Sequence, residues 1–354
     1  MSKHIVLLPG DGIGQEIMDS AVKVLEVVSK LYKVEFTFET HDIGGIAVDN
    51  HGTPLPQSTI EACKKADSVL LGAVGGPKWD NIEVAKRPEQ GLLGIRKALN
   101  LFANLRPVRV FPSLVHASPL KKERVEDADI LIVRELTGGL YFGTPRERSE
   151  DGNSVVDTLH YTREEIERII RIGFESAMER NKKLTSVDKA NVLESSRMWR
   201  EIAIEIGSEY KEVELEHLLV DAAAMKLITD PKSFDTIVTE NLFGDILSDE
   251  ASVIPGTIGV LASASMNDES LGLYEPIHGS APDIAGQGIA NPISMILSVA
   301  MMLKFSLGMT EAADKIEVAV EYALDKGFHT GDLDMEGSVL NTKEMTEKII
   351  EFIN

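Results

Sequence analysis

Short apolar runs alternate with helical patterns along this chain, and that alternation limits the fold more than any other feature. Ile5–Leu8 is apolar throughout and stops at Pro9-Gly10-Asp11-Gly12. Ile17, Ala21, Leu25 and Val28 then recur at helical spacing between Gly14 and Leu31. Val34–Phe38 alternates as a strand, Ser58–Ala66 has helical spacing, and Ser68–Leu71 is again a buried-type strand. This βαβα rhythm predicts an α/β protein with a largely parallel sheet. Further strands are expected near Ala103–Val110, Ile130–Val133, Ser186–Asp188, Glu214–Val220 and Thr236–Val238. Helices are expected near Arg163–Glu179, Glu194–Ile206, Ala222–Ile228 and Leu242–Ala251, then near Pro292–Leu307, Thr310–Asp325 and Thr342–Phe352.

At 354 residues the chain is long enough for about two domains. Its net charge of -21 disfavours nucleic acid and anionic membranes as partners. The same charge means that an acidic ligand needs cations gathered locally. The single cysteine, Cys63, forms no intrachain disulfide and fits a reducing compartment and a core position. No targeting segment is visible, and Ile293–Leu303 is too short an apolar run to span a membrane. A cytoplasmic protein is expected.

Three arginines stand where charge is awkward. Arg96 lies beside an apolar helical stripe, Arg106 precedes Pro107 in an apolar stretch, and Arg134 ends the run Ile130–Val133. A guanidinium grips carboxylate or phosphate with two parallel hydrogen bonds. Three of them suggest a small ligand with more than one acidic group, against a bland reading as separate structural ion pairs. Tyr141 follows closely, past Thr137-Gly-Gly-Leu.

Glu89, Leu92, Leu93 and Arg96 share one helical face, which suits a branched alkyl group near a carboxylate. An ordinary amphipathic turn would read the same way. Asp245 and Asp249, four apart on a helix, repel unless something sits between them. A divalent cation such as Mg²⁺ or Mn²⁺ is the natural candidate. Phe243, Ile246 and Leu247 are expected to crowd the pair, and Asp221 closes the strand Leu218-Leu-Val-Asp221. Lys189, in Val187-Asp-Lys189-Ala-Asn191-Val192, is either a surface lysine or a general base beside a strand end. The stretch from Glu275 to Pro292 has no periodicity and is read as a functional loop. In it His278 and Ser280 can donate to phosphate or ribose, and Asp283 can accept from ribose hydroxyls. Asn291 also has a structural reason, as a helix cap before Pro292.

Gly10-Asp11-Gly12-Ile13-Gly14-Gln15 resembles a dinucleotide fingerprint but puts Gln15 where a third small residue is required. No Rossmann site is assigned.

Taken together, these motifs resemble the isocitrate/isopropylmalate dehydrogenase family of β-hydroxyacid oxidative decarboxylases. The resemblance rests on Gly91-Leu-Leu-Gly-Ile-Arg-Lys97, Leu101-Phe-Ala-Asn-Leu-Arg-Pro107, Val187–Asn191, Asn241–Asp249 and His278–Asp283. It runs along essentially the whole chain. It implies an open mixed α/β sheet in two domains, without a standard Rossmann nucleotide site. Residues 1–103 with 257–354 would form a cofactor-side domain. Residues 104–256 would form a substrate and dimerisation domain, with an arm near 142–162. By residues alone, the polar Ser149–His160 reads as a solvated loop or as an arm toward another subunit.

The implied activity is oxidation and decarboxylation of 3-isopropylmalate to 4-methyl-2-oxopentanoate with reduction of NAD, a step of leucine biosynthesis. Arg96, Arg106 and Arg134 would hold carboxylates, and Leu92, Leu93 and Val192 would line the alkyl pocket. Asp221, Asp245 and Asp249 would surround Mg²⁺ or Mn²⁺. Asp221, Lys189, Asn191 and Val192 would come from the second subunit of a homodimer. Lys189 and Tyr141 would be the catalytic base and acid. Glu89 and Glu275 would lie near the cofactor, along the loop of His278, Gly279, Ser280, Ala281, Pro282, Asp283 and Ile284, with Asn291 at its end. Relatives acting on isocitrate, D-malate or tartrate are the nearest rivals, and a catalytically silent subunit of the same fold is a further one. Leu92 and Leu93 favour an alkyl substituent over a third carboxylate.

Overall fold

The computed structural model describes residues 2–354. They divide into two compact units. The first runs from the N-terminus to Leu101 and adds Pro112–Ala117 and Thr257–Asn354; the second is Phe102–Phe111 with Ser118–Gly256. Phe102 and Ala103 therefore group with the second unit, because Ala103 opens a strand paired with Glu135. Pro112–Ala117 groups with the first, where the His116 ring meets the Asp334 carbonyl at 2.5 Å.

In chain order the strands used below are β1 (Ser2–Gly10), β2 (Glu35–Thr40), β3 (Ser68–Ala73), β4 (Ala103–Arg109), β5 (Asp129–Glu135) and β6 (Arg146–Arg148). They continue with β7 (Val155–Asp157), β8 (Lys183–Asp188), β9 (Glu214–Leu219), β10 (Thr236–Thr239), β11 (Ala262–Met266) and β12 (Gly272–Pro276). In the first unit the order is β2-β1-β3-β12-β11, parallel except for the β11–β12 hairpin. In the second it is β4-β5-β10-β8-β9, parallel except for β4–β5.

The apolar runs behave as parallel strands should, since helices cover both faces of such sheets. Ile5, Val6, Leu8, Val69, Leu70 and Leu71 are wholly buried. The helix Gly14–Tyr32 turns Ile17, Ala21, Leu25 and Val28 inward, as its spacing required. Cys63 sits in the core around Val69 and Leu71, and burial pushes its thiol pKa up to about 12, so it is inert as a nucleophile.

Two elements depart from the sequence reading. β11 and β12 went unforeseen, because Ala-Ser-Ala-Ser-Met alternates only small, weak strand formers and Gly-Leu-Tyr-Glu-Pro does not alternate. Their turn is set by Asn267, whose carboxamide oxygen accepts from the amides of Glu269 and Leu271. Glu275 consequently belongs to a strand, and the irregular loop starts only after Pro276. Within 142–162, β6 and β7 pair antiparallel, with every residue of both strands exposed.

Candidate active site

The second unit gathers the charged residues most tightly. Arg134 ends β5, and only 3% of it is exposed. Its guanidinium crosses the start of the helix Asn241–Ser252, donating to Asn241 Oδ1 at 2.8 Å and to Asp245. Gly244 makes this crossing possible: a Cβ there would lie 2.5 Å from Arg134 Cγ. Tyr141 reaches the other Asp245 oxygen, its hydroxyl donating at 2.6 Å. Burial first, and then the Asp245 carboxylate, push the Tyr141 pKa up to about 12, so the phenol keeps its proton at neutral pH.

Arg106 lies one helical turn along, donating to Ser248 Oγ at 2.8 Å and to Asp249 at 3.0 Å. Asp249 is largely exposed. Asp245 and Asp249 do share a face, but arginines answer their mutual repulsion in this chain. The expected crowding holds only in part, since Leu247 is buried whereas Ile246 is 56% exposed. Among the described residues no three His, Cys, Asp or Glu side chains converge as a metal site. Asp221 therefore does not join Asp245 and Asp249 within one chain.

Asp221 is instead the second residue of the helix Val220–Thr229, two positions past the end of β9. Lys189 Nζ donates to it at 2.5 Å, and this bond holds its carboxyl pKa below the ordinary value. Lys189 directly follows β8, where the buried Asp188 takes two 2.8 Å bonds from Arg200. The lysine is thus a presented, paired group rather than a free surface charge. Asn191 and Val192 are exposed beside it.

In the first unit, the helix Pro88–Ala98 carries Glu89, Leu92, Leu93 and Arg96. Arg96 bonds Glu275 at 2.7 Å, both side chains about one-tenth exposed, so two residues read as separate ligand contacts are each other's partners. Arg96 Nε is buried and finds no acceptor among the described residues. Leu92 packs partly on the core, while Leu93 stays 38% exposed. A side chain at Gly75 would lie 3.1 Å from the Glu89 carboxylate, which places that carboxylate over the Gly75 backbone.

The 277–291 loop is held from below. Ile13 N donates to Ser280 O at 2.8 Å, and Ser280 Oγ donates to Gly75 O at 2.7 Å. The amides of Gly286 and Gly288 both donate to the Glu16 carboxylate. Gly12 is glycine because Ser280 O occupies the space its Cβ would need, 1.9 Å away. The fingerprint-like turn thus seats this loop instead of a phosphate. Its own Asp11 accepts from the amides of Gly45, Ile46 and Gly75, each at 2.8 Å. Pro282 and Asp283 are exposed, Ala281 and Ile284 half-buried, and Gly279 faces open space. His278 Nδ1 meets the Gly279 carbonyl, and its Nε2 is buried without a hydrogen-bond partner among the described residues. Asn291 accepts from Ile293 N and donates to Asp332; Pro292 rather than Asn291 occupies the N-cap, so Asn291 ties the helix start from one position further out.

Sequence reasoning missed the supporting acids Asp11, Glu16, Glu135 and Glu240, and with them Tyr161. Glu16 and Glu240 carried a local signal, each as an acidic residue at a helix start.

The sequence profile of the isocitrate/isopropylmalate dehydrogenase family matches residues 4–349. The chain belongs to that family. It is 63% identical to a 3-isopropylmalate dehydrogenase of Oceanobacillus iheyensis, covering 99% of this chain and 96% of that protein. It is 57% identical to the enzyme of the same name from Bacillus subtilis, with the same two coverages. Among solved structures, an isocitrate dehydrogenase from Methylococcus capsulatus superposes with a TM-score of 0.85 at 37% identity, over 99% of each chain.

Proposed function

We propose that this family member catalyses the NAD-dependent oxidative decarboxylation of 3-isopropylmalate to 4-methyl-2-oxopentanoate, in leucine biosynthesis. The observation that carries the reading is the Arg134–Asp245–Tyr141 cluster, with Arg106 and Asp249 one turn away. It combines carboxylate binders, oxygen donors for a hard cation and a protonated acid. The relatives at 57–63% identity carry the name of that activity.

Arg106 and Arg134 would bind the malate carboxylates, with Arg96 contributing once a substrate carboxylate competes with Glu275 for its guanidinium. Leu92 and Leu93 would meet the isopropyl group. Lys189 would take the C2 hydroxyl proton, and Tyr141 would return a proton to the carbon freed by loss of CO₂. A phenol whose pKa is pushed up to about 12 is protonated and ready to donate. The all-oxygen donor set of Asp245, Asp249 and a second copy's Asp221 fits Mg²⁺ or Mn²⁺, which would supply Lewis acidity toward the reacting oxygens. The His278–Ile284 segment, with its open glycine at 279, fits the adenosine half of NAD, and Asn291 closes it. Glu89 would lie near the nicotinamide.

The reading includes a homodimer. Met225 and Ile228 on one helix, and Ile246 and Val253 at the next, are exposed apolar side chains of the second unit. Such a face calls for a cover. The β6–β7 hairpin, exposing Val155 and Val156, would be the arm. A cytoplasmic location accords with one buried thiol and with the absence of a helix long and apolar enough to cross a membrane among the described residues.

A panel of 2-hydroxy acids with NAD tests the activity: isopropylmalate should exceed isocitrate, malate and tartrate in kcat/KM. Isocitrate as best substrate would overturn the alkyl pocket. Shared sites are tested by refolding Lys189→Ala together with Asp245→Asn, each inactive alone. About a quarter of all sites should recover in an equal mixture by two-fold symmetry. A mixture that forms mixed dimers yet stays dead would place Lys189 in its own chain's site.

A further inference from the structure

Two buried glutamates and a half-buried tyrosine lie directly behind the Arg134 cluster, all within the second unit, and the chemistry above uses none of them. Tyr161 Oη stands 3.1 Å from Glu135 Oε2 and 3.3 Å from Glu240 Oε2, and it accepts from Asn241 N at 3.0 Å. Glu135 is fully buried and Glu240 is 5% exposed.

Each glutamate holds a different working segment. Glu135 accepts from Thr137 N at 2.8 Å, Thr137 Oγ1 at 3.0 Å and Gly138 N at 2.9 Å, fixing the turn that leads into Tyr141. Glu240 accepts from Leu242 N at 3.2 Å and Phe243 N at 2.9 Å, capping the helix that carries Asp245 and Asp249. The Tyr161 ring fills the space against Gly138 and Gly139, where a Cβ at either position would come within 2.5 Å of it. Asn241 adds a parallel tie, its Nδ2 donating to Gly138 O at 3.1 Å.

We propose that Tyr161 is a positioning residue whose hydroxyl clasps Glu135 to Glu240 and so sets Tyr141 against Asp245. The inference rests on the activity proposed above. Two carboxyl groups sharing a single hydroxyl hydrogen are costly to bury, and an apolar contact would hold the same elements together at less cost. Burial pushes both glutamate pKa values up, as that cost requires. Arg168 makes an ion pair with Glu135 at 4.0 Å and donates to Thr137 Oγ1, so a single cation stands against the two glutamates. A small cavity lined by Tyr161, Ser196, Trp199 and Glu240 gives the ring room to tilt once its hydroxyl is lost.

The test has two readouts. Amide hydrogen exchange at Thr137, Gly138, Leu242 and Phe243, measured without substrate, should quicken about tenfold or more in Tyr161→Phe. In the same variant kcat for isopropylmalate should fall about ten- to a hundred-fold, with KM for NAD unchanged, since small misplacements of reacting groups act on turnover. Glu240→Gln keeps one acceptor oxygen, enough for the Phe243 amide or for the Leu242 amide with Tyr161 Oη, and should retain more of kcat than Glu240→Ala, which keeps none. That pair carries the test if Tyr161→Phe does not fold. A folded Tyr161→Phe with wild-type kcat overturns the proposal. So does a loss of kcat without faster exchange, or equal losses in Glu240→Gln and Glu240→Ala. Turnover of the unaltered chain judges the activity separately from the exchange result.

Discussion

On the function proposed above, the Arg134 cluster and the 277–291 loop would bind ligands by opposite means. The cluster is made of side chains, each fixed by another: Arg134 by Asn241 and Asp245, Tyr141 by Asp245, Arg106 by Ser248 and Asp249. The loop is made of backbone, fixed from underneath by Glu16, Ser280 and the Gly12 turn, and it leaves its upper surface to small or exposed residues. Charge that must be aimed at developing charge needs rigid side chains in a partly buried place. A cofactor held along its length needs close backbone approach, which a row of glycines permits.

Two glycines break the comparison most sharply. Gly244→Ala forces a Cβ to within 2.5 Å of Arg134 Cγ. Alanine gains about 1 kcal/mol in helix propensity, but overpacking costs about 1–3 kcal/mol and moves the guanidinium. We expect kcat/KM to fall about a hundredfold and Tm to drop. Gly279→Ala meets nothing within 4 Å, so Tm should not change, and any kinetic effect should appear in KM for NAD. Equal damage from both would erase the distinction.

The loop itself is sharpened by cofactor choice. Asp283 is exposed at its crest and would repel a 2′-phosphate. Asp283→Lys with Ile284→Tyr should move preference toward NADP by about tenfold, or about 1.4 kcal/mol. The ratio of kcat/KM for the two cofactors checks it, and an unmoved ratio would place the 2′-position elsewhere.

The smallest effect concerns the support of the cluster. Burial, with Glu135 nearby, raises the Glu240 pKa above its ordinary 4.5, against the lowering effect of the Phe243 and Leu242 amides and Tyr161. The folded chain then holds this proton more tightly than the unfolded one, and its contribution to stability declines as pH rises above that value. Glu240→Gln should therefore gain in Tm relative to the unaltered chain as pH is raised from about 4 to 7. Parallel Tm curves would show that Glu240 is ionised already.

Much of this was legible in the sequence because single segments carry it. Strands such as Ile5–Leu8 and Ile130–Val133 are apolar on both faces, and helices such as Gly14–Tyr32 repeat apolar residues at helical spacing. Asp245 and Asp249 were identifiable as a pair because four residues make one helical turn. What joins distant segments was not legible. Arg96 finds Glu275 across 179 residues, and Tyr161 finds Glu240 across 79. Nor does local pattern reveal which apolar helix residues face outward: Ile246 resembles its buried neighbour Leu247 in everything but position.

Asp11 has one more consequence. Its carboxylate accepts from the amides of Gly45, Ile46 and Gly75, and so ties two other segments to the Gly10–Gly14 turn. The loop resting on it is therefore preorganised. Its ordering entropy is incurred when the chain folds, so a cofactor bound there, as proposed, would come and go without the turn melting and re-forming.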